Sequence, residues 1–137
     1  METITKSTEE TFEVGRRIGA DLKGGEIIAL IGEMGAGKTT FVQGLAKGLG
    51  VKNKIVSPTF ILMRSYMGKL NLYHLDLYRL EGNIEDHVKN LGLFDIWRDE
   101  KNVVVVEWAE KIQNILPKET IWIKFESIDE DQRKISL

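Results

Sequence analysis

Residues Gly32-Glu33-Met34-Gly35-Ala36-Gly37-Lys38-Thr39 fit the spacing G-x-x-x-x-G-K-[ST], the P-loop, in which each fixed residue has a chemical reason for its place. Glycines let consecutive backbone N–H groups turn around an anion, and a helix opening where the loop ends adds partial positive charge. Lys38 then brings an ammonium to the β- and γ-phosphates, and the Thr39 hydroxyl offers a ligand to Mg²⁺. With Glu33, Met34, Ala36 and Thr40 these residues form the expected phosphate seat. A glycine turn without a ligand is the plainer alternative. The buried strand expected before the motif and the helix expected after it favour the phosphate seat.

Such a loop needs an acid for the metal at the C-terminal end of a neighbouring strand. Two residues qualify. Glu107 ends the run Val103-Val104-Val105-Val106, and Asp76 ends Tyr73-His74-Leu75-Asp76. Either would bind directly or through a water, since Mg²⁺ keeps several waters; Glu107 is also placed to orient an attacking water. The bland reading of each is a surface or capping carboxylate. Thr59, in Ser57-Pro58-Thr59, offers a hydroxyl to metal or phosphate where switch segments sit, or simply belongs to a turn. Thr8 and Thr11 would contact base or ribose, or only cap their helix. Trp108 packs over a nucleotide or into the core, and Arg79 neutralises phosphate charge or makes a surface ion pair. His74 either lines the cleft or is structural. Trp97 and Trp122 read as packing residues, and His87 has no assigned role. A guanine signature N-K-x-D is missing: Asn53-Lys54-Ile55-Val56 lacks the acid, and Asp76 has Arg79 rather than glycine three residues on. Adenine is the expected base.

The elements that must carry these residues follow from periodicity. Ser7-Thr8-Glu9-Glu10 is a capping box, and Phe12, Val14, Ile18 and Leu22 give the helix after it an apolar face. Gly24-Gly25 ends it. Glu26–Ile31 is apolar on both faces, as a buried parallel strand should be. Thr39–Leu49 is a helix packed through Phe41, Val42, Leu45, Ala46 and Leu49. The period then becomes two, giving strands Phe60–Tyr66 and Leu70–Asp76 joined at Met67-Gly68. A helix over Asn83–Leu91 capped by Asn83, a buried strand Val103–Val106, a helix Ala109–Leu116 stopped by Pro117, and strands Thr120–Phe125 and Lys134–Leu137 complete the chain. This predicts a single α/β domain over residues 1–137, with a mostly parallel central sheet, an antiparallel hairpin and helices on both faces.

At 137 residues there is room for one core. With 42% hydrophobic and 29% charged residues, disorder and coiled coil are disfavoured. Without cysteine there is no disulfide, thiolate metal site or cysteine nucleophile. A net charge of −2 and no evident basic stripe predict no autonomous nucleic-acid binding. No apolar run approaches the ~20 residues that span a bilayer, and METITKSTEE does not resemble a signal peptide. A cytoplasmic location is expected.

Four blocks in order carry a resemblance to a known family: GEMGAGKTT (Gly32–Thr40), SPTF (Ser57–Phe60), HLDLYRL (His74–Leu80) and VEWAE (Val106–Glu110). The chain resembles the TsaE (YjeE) family of P-loop ATPases in tRNA threonylcarbamoyladenosine synthesis. That resemblance implies ATP and Mg²⁺ as cofactors and ATP hydrolysis as the activity. It implies TsaD, the threonylcarbamoyl transferase, and its companion TsaB as partners, with tRNA met indirectly through them. ATP-bound members would dock on the TsaB–TsaD pair and hydrolysis would reset the assembly. By position, Gly32–Thr40 would hold the phosphates, Thr39 and Glu107 the metal with Asp76 assisting. Thr59 would lie in a switch-like segment and Trp108 beside the nucleotide. Beyond Pro117 nothing carries over.

Two other functions compete. A small-molecule kinase would need an acceptor pocket and an arginine-bearing lid, yet Arg64, Arg79 and Arg98 are scattered and no lid-length insertion exists. A non-catalytic module would sense ATP by changing shape. With no evident arginine finger, worth ~10³–10⁵ in rate, an ATPase of this kind would be weak without a partner.

Overall fold

The computed structural model describes residues 2–33, 35–55 and 62–137. A seven-stranded sheet carries β1 (Glu2–Thr5), β2 (Ile27–Gly32), β3 (Met63–Tyr66), β4 (Asn71–Asp76), β5 (Asn102–Glu107), β6 (Ile121–Ser127) and β7 (Arg133–Ser136). The helices are α1 (Thr8–Asp21), α2 (Lys38–Gly48), α3 (Ile84–Asn90) and α4 (Leu93–Arg98), with a 3₁₀ segment over Ala109–Ile115. Strand order is β1-β7-β6-β2-β5-β4-β3. The inner strands β6, β2, β5 and β4 pair in parallel, and antiparallel strands close both edges. The parallel centre and the β3–β4 hairpin are as the sequence predicts. The β6–β7 hairpin, with the N-terminal β1 paired to β7, adds a second antiparallel edge.

Alternation along β2 and β5 divides the core in two. Ile28, Leu30, Val103 and Val105 face α1 and α2, whereas Ile27, Ala29, Val104 and Val106 face α3, α4 and the 3₁₀ segment. Strands buried on both sides need apolar residues at every position, which is why these runs read as continuous. On the second side, β1, β7 and the end of β6 stay open to solvent, where Lys134 pairs with Glu2 and Lys124 with Glu126, each at 3.4 Å.

Several local expectations are corrected. Ser7 caps α1, its Oγ accepting from Glu10 N at 3.1 Å, but the Glu10 carboxylate reaches back to Lys6 N rather than to Ser7. Val14, Ile18 and Leu22 of α1 pack against the core as expected, while the most buried positions are Thr11, Gly15 and Gly19, where α1 lies backbone-close against Gly44 and Gly48 of α2. Asn83 precedes α3 without capping it; its amide donates to Asp86 instead, at 2.6 Å. The segment after β5 is 3₁₀ with a break at Ile112 (φ −126°, ψ 26°), not an α-helix. Two elements lacked a clear signal: β1, a polar edge strand, and α4, which begins after a left-handed Gly92 that reads as a terminator.

Candidate functional site

The loop after β2 turns through three residues of positive φ, Gly32, Gly35 and Gly37, and only glycine takes such angles without strain. Gly37 is the left-handed residue at the start of α2. The motif thus stands at the carboxyl end of a parallel strand and opens a helix. Asp76 and Glu107 close their own strands beside it, in register with each other across β4 and β5; Leu30 of β2 pairs with Glu107 on the other side. In open α/β sheets this end is where ligands sit.

Lys38 is 5% exposed. Its Nζ donates to Gly32 O at 2.7 Å and stands 4.5 Å from the centre of the Trp108 ring, a cation–π distance. Glu107 is also buried, and its Oε2 lies 2.6 Å from Nε2 of a fully buried His74. His74 therefore does not line an open cleft; it fixes the carboxylate next to it. Asp76 is half-buried, with Oδ1 accepting from Tyr78 N at 3.0 Å. Desolvation raises its pKa above the usual carboxylate value, and the Glu107 charge adds to this; the Tyr78 N–H, His74 and Lys38 act the other way. Two carboxylates crowded in this manner favour a cation between or beside them.

Trp108 is the single described non-glycine residue with positive φ, at 60°. Such strain persists only where surroundings enforce it. Here the ring lies against Lys38 on one contact, Tyr78 on another (5.1 Å between centres), and Lys111 at 6.0 Å. Lys111 was not foreseen. Its ammonium donates to Leu77 O (3.0 Å), Tyr78 O (2.9 Å) and Leu80 O (3.1 Å), tying the turn after β4 to the 3₁₀ segment after Trp108. A Lys111→Met variant leaves three carbonyls without that donor, at ~1–3 kcal/mol. Its melting temperature should drop by several degrees, and any Trp108-reported ligand should bind several-fold more weakly.

Among the other expected residues, Thr39 and Glu33 are exposed, Thr40 is half-buried and Ala36 is buried. Thr8 is exposed on the first turn of α1. The Thr11 hydroxyl is occupied within the fold, 2.7 Å from Thr5 Oγ1 and donating to Ser7 O. Met34 and Thr59, with the block Ser57–Phe60, lie outside the described residues. A second unforeseen neighbour is Arg133 of β7, whose side chain reaches within 3.5 Å of where a β-carbon on Gly37 would stand. Trp97 packs in the core as expected, and His87 is exposed.

The residues at this end that could hold a divalent cation offer hard oxygens: the Thr39 hydroxyl and the Asp76 and Glu107 carboxylates. No described group of three or more His, Cys, Asp or Glu forms a protein cage for a metal.

This fold and site define an α/β domain of the P-loop class. The family model of threonylcarbamoyl adenosine biosynthesis protein TsaE matches residues 5–135, and the chain belongs to that family. The tRNA threonylcarbamoyladenosine biosynthesis protein TsaE of Treponema pallidum is 38% identical, over 100% of this chain and 99% of that one. Its counterpart from Aquifex aeolicus is 39% identical, with 99% and 94% covered. The crystal structure of Bacillus subtilis YdiB aligns with a TM-score of 0.78 at 34% identity, covering 98% of this chain and 82% of that one. Among the described residues no helix is long and apolar enough to cross a membrane.

Proposed function

We propose that this member of the tRNA threonylcarbamoyladenosine pathway binds ATP with Mg²⁺, hydrolyses it slowly alone, and acts as an ATP-driven switch on the TsaB–TsaD complex. One observation carries the reading. Lys38 is a buried ammonium whose contacts are a main-chain carbonyl and an indole face, beside two strand-end carboxylates in register. A triphosphate would give that ammonium an anion in direct contact, which no described residue supplies. The Gly32–Thr40 loop would hold the phosphates. Thr39, Glu107 and Asp76 would hold the metal, which when bound neutralises charge on the phosphates. His74 keeps Glu107 in one orientation, either toward the metal or toward a water. Trp108 would border the nucleotide, fixed there by Tyr78 and Lys111. Thr59 is proposed to respond to the γ-phosphate, and Thr8 to reach the ribose or base.

The test pairs binding with capture. Trp108 fluorescence should change on adding ATP and Mg²⁺, with GTP at least about tenfold weaker. Immobilised protein should retain purified TsaB–TsaD with ATP and release it with ADP. Equal retention with ATP, ADP and no nucleotide would remove the switch. Tens of turnovers per second by the protein alone would remove the dependence on a partner.

A further inference from the structure

The net charge of −2 conceals a segregation. Residues 34–75 contain no Asp or Glu and six Lys or Arg, a net +6 that leaves −8 for the remainder. Lys38 is committed to the loop and Arg64 to β3. The other four, Lys47, Lys52, Lys54 and Lys69, are exposed, and none forms an ion pair among the described residues.

The fold gathers these four at one corner. Lys47 is in the last turn of α2, and its carbonyl accepts from Gly50 N at 3.1 Å. Gly50 turns the chain at φ 80°, and Val51 N closes on Ala46 O at 3.0 Å. Val51 and Ile55 are buried, so Lys52 and Lys54 between them face outward. The β3–β4 turn docks on the same place: Lys69 N donates to Leu49 O at 2.9 Å, and Lys69 Cγ is 3.1 Å from a β-carbon built on Gly50. Helix-dipole compensation accounts for Lys47 at a helix C-terminus; the other three have no ion-pair partner among the described residues, although Asp21 at the end of α1 and Glu100, beside Leu70, border the corner. The corner is also remote from the nucleotide end, since α2 has 11 residues and spans ~16 Å at 1.5 Å per residue.

We propose that this corner docks the phosphate backbone of RNA, with tRNA, the polyanion of the pathway, as its occupant. Ammonium groups on flexible stems meet phosphates as point charges, giving a contact that positions without reading sequence. The inference depends on the family's pathway but not on the ATP reading, because the corner and the loop occupy opposite ends of α2. It also revises the expectation of no nucleic-acid contact drawn from total charge.

The experiment measures fluorescence anisotropy of a labelled tRNA transcript against salt, with wild type and the variant Lys47→Gln/Lys52→Gln/Lys54→Gln/Lys69→Gln. Wild type should bind in the ~10⁻⁴–10⁻⁶ M range of backbone-only contacts, and losing four lysines should flatten the log K against log salt slope by about 3. At low salt the variant should bind at least about tenfold more weakly. Matching melting curves show that the variant is folded, and a parallel ATP titration reports the nucleotide site separately. Equal slopes for the two proteins would overturn the proposal, as would no binding by wild type. Displacement of labelled tRNA by polyglutamate at a charge concentration at which unlabelled RNA does not displace it would overturn it too, assigning the corner to an acidic protein.

Discussion

Lys38→Ala should melt close to wild type while its dissociation constant for ATP with Mg²⁺ rises by about 10²–10³-fold and hydrolysis falls to background. The contrast follows from what the ammonium touches. Lys38 is 5% exposed and has a carbonyl at 2.7 Å and a ring at 4.5 Å, with no anion in ion-pair contact among the described residues. Burying a charge costs several kcal/mol unless a counter-charge offsets it, and a carbonyl plus a cation–π contact of about 1–2 kcal/mol covers part of that. Alanine removes the cost and these contacts together with the attraction between Lys38 and Asp76; these effects oppose one another, so ligand-free stability changes little. The triphosphate loses a buried charged partner, worth ~2–5 kcal/mol in such settings. Thermal melts beside calorimetric titration read both effects. A lysine kept for structure would do the reverse: the melt would fall by several degrees and affinity would stay within threefold. That result would remove the nucleotide reading.

The glycine-rich turn that opens α2 could be read directly from sequence because its motif is made of adjacent residues. Glu107 and Asp76 could be read as well, since a strand that ends on an acid places it at a predictable height. What could not be read depends on register and turn geometry. The His74–Glu107 bond exists because β4 and β5 align His74 two residues before the Asp76–Glu107 pair, on the same face of the sheet. Lys111 acts only because the turn over Leu77–Leu80 folds under the 3₁₀ segment, and no local pattern announces that. Arg133 sits 96 positions after Gly37 in sequence and meets it only through the β6–β7 edge. The charge corner was written in the residues, yet a whole-chain total averaged it away. The apolar spacing of α1 shows the side that meets the core through Val14, Ile18 and Leu22, but periodicity rewards large apolar side chains, and the close α1–α2 contact rests on glycines.

That interface carries the largest stability effect. A β-carbon on Gly44 would lie 2.0 Å from Phe12 O, and one on Gly15 2.2 Å from Phe41 O; Gly19 and Gly48 meet Leu45 O and Arg16 O at 2.2 Å each. All four obstacles are backbone, so no side-chain rotation relieves them. The helices must separate, and α2 holds Lys38 while α1 holds Thr11 against Gly37. Gly→Ala inside a helix normally gains about 1 kcal/mol from propensity. Overpacking against rigid neighbours costs about 1–3 kcal/mol or more, and here separation also uncovers the core beneath Phe41, Leu45 and Val14. For Gly44→Ala the expected net loss is about 3 kcal/mol, and for Gly44→Val it reaches the ~5 kcal/mol lower bound of whole-domain stability. Gly82→Ala is the control: φ is +77° and a β-carbon meets nothing within 4 Å, so only the backbone cost of roughly 1 kcal/mol applies. Urea denaturation of the three variants should rank them Gly82→Ala, Gly44→Ala, Gly44→Val in falling midpoint. If Gly44→Ala matched wild type, the two helices would not be in backbone contact.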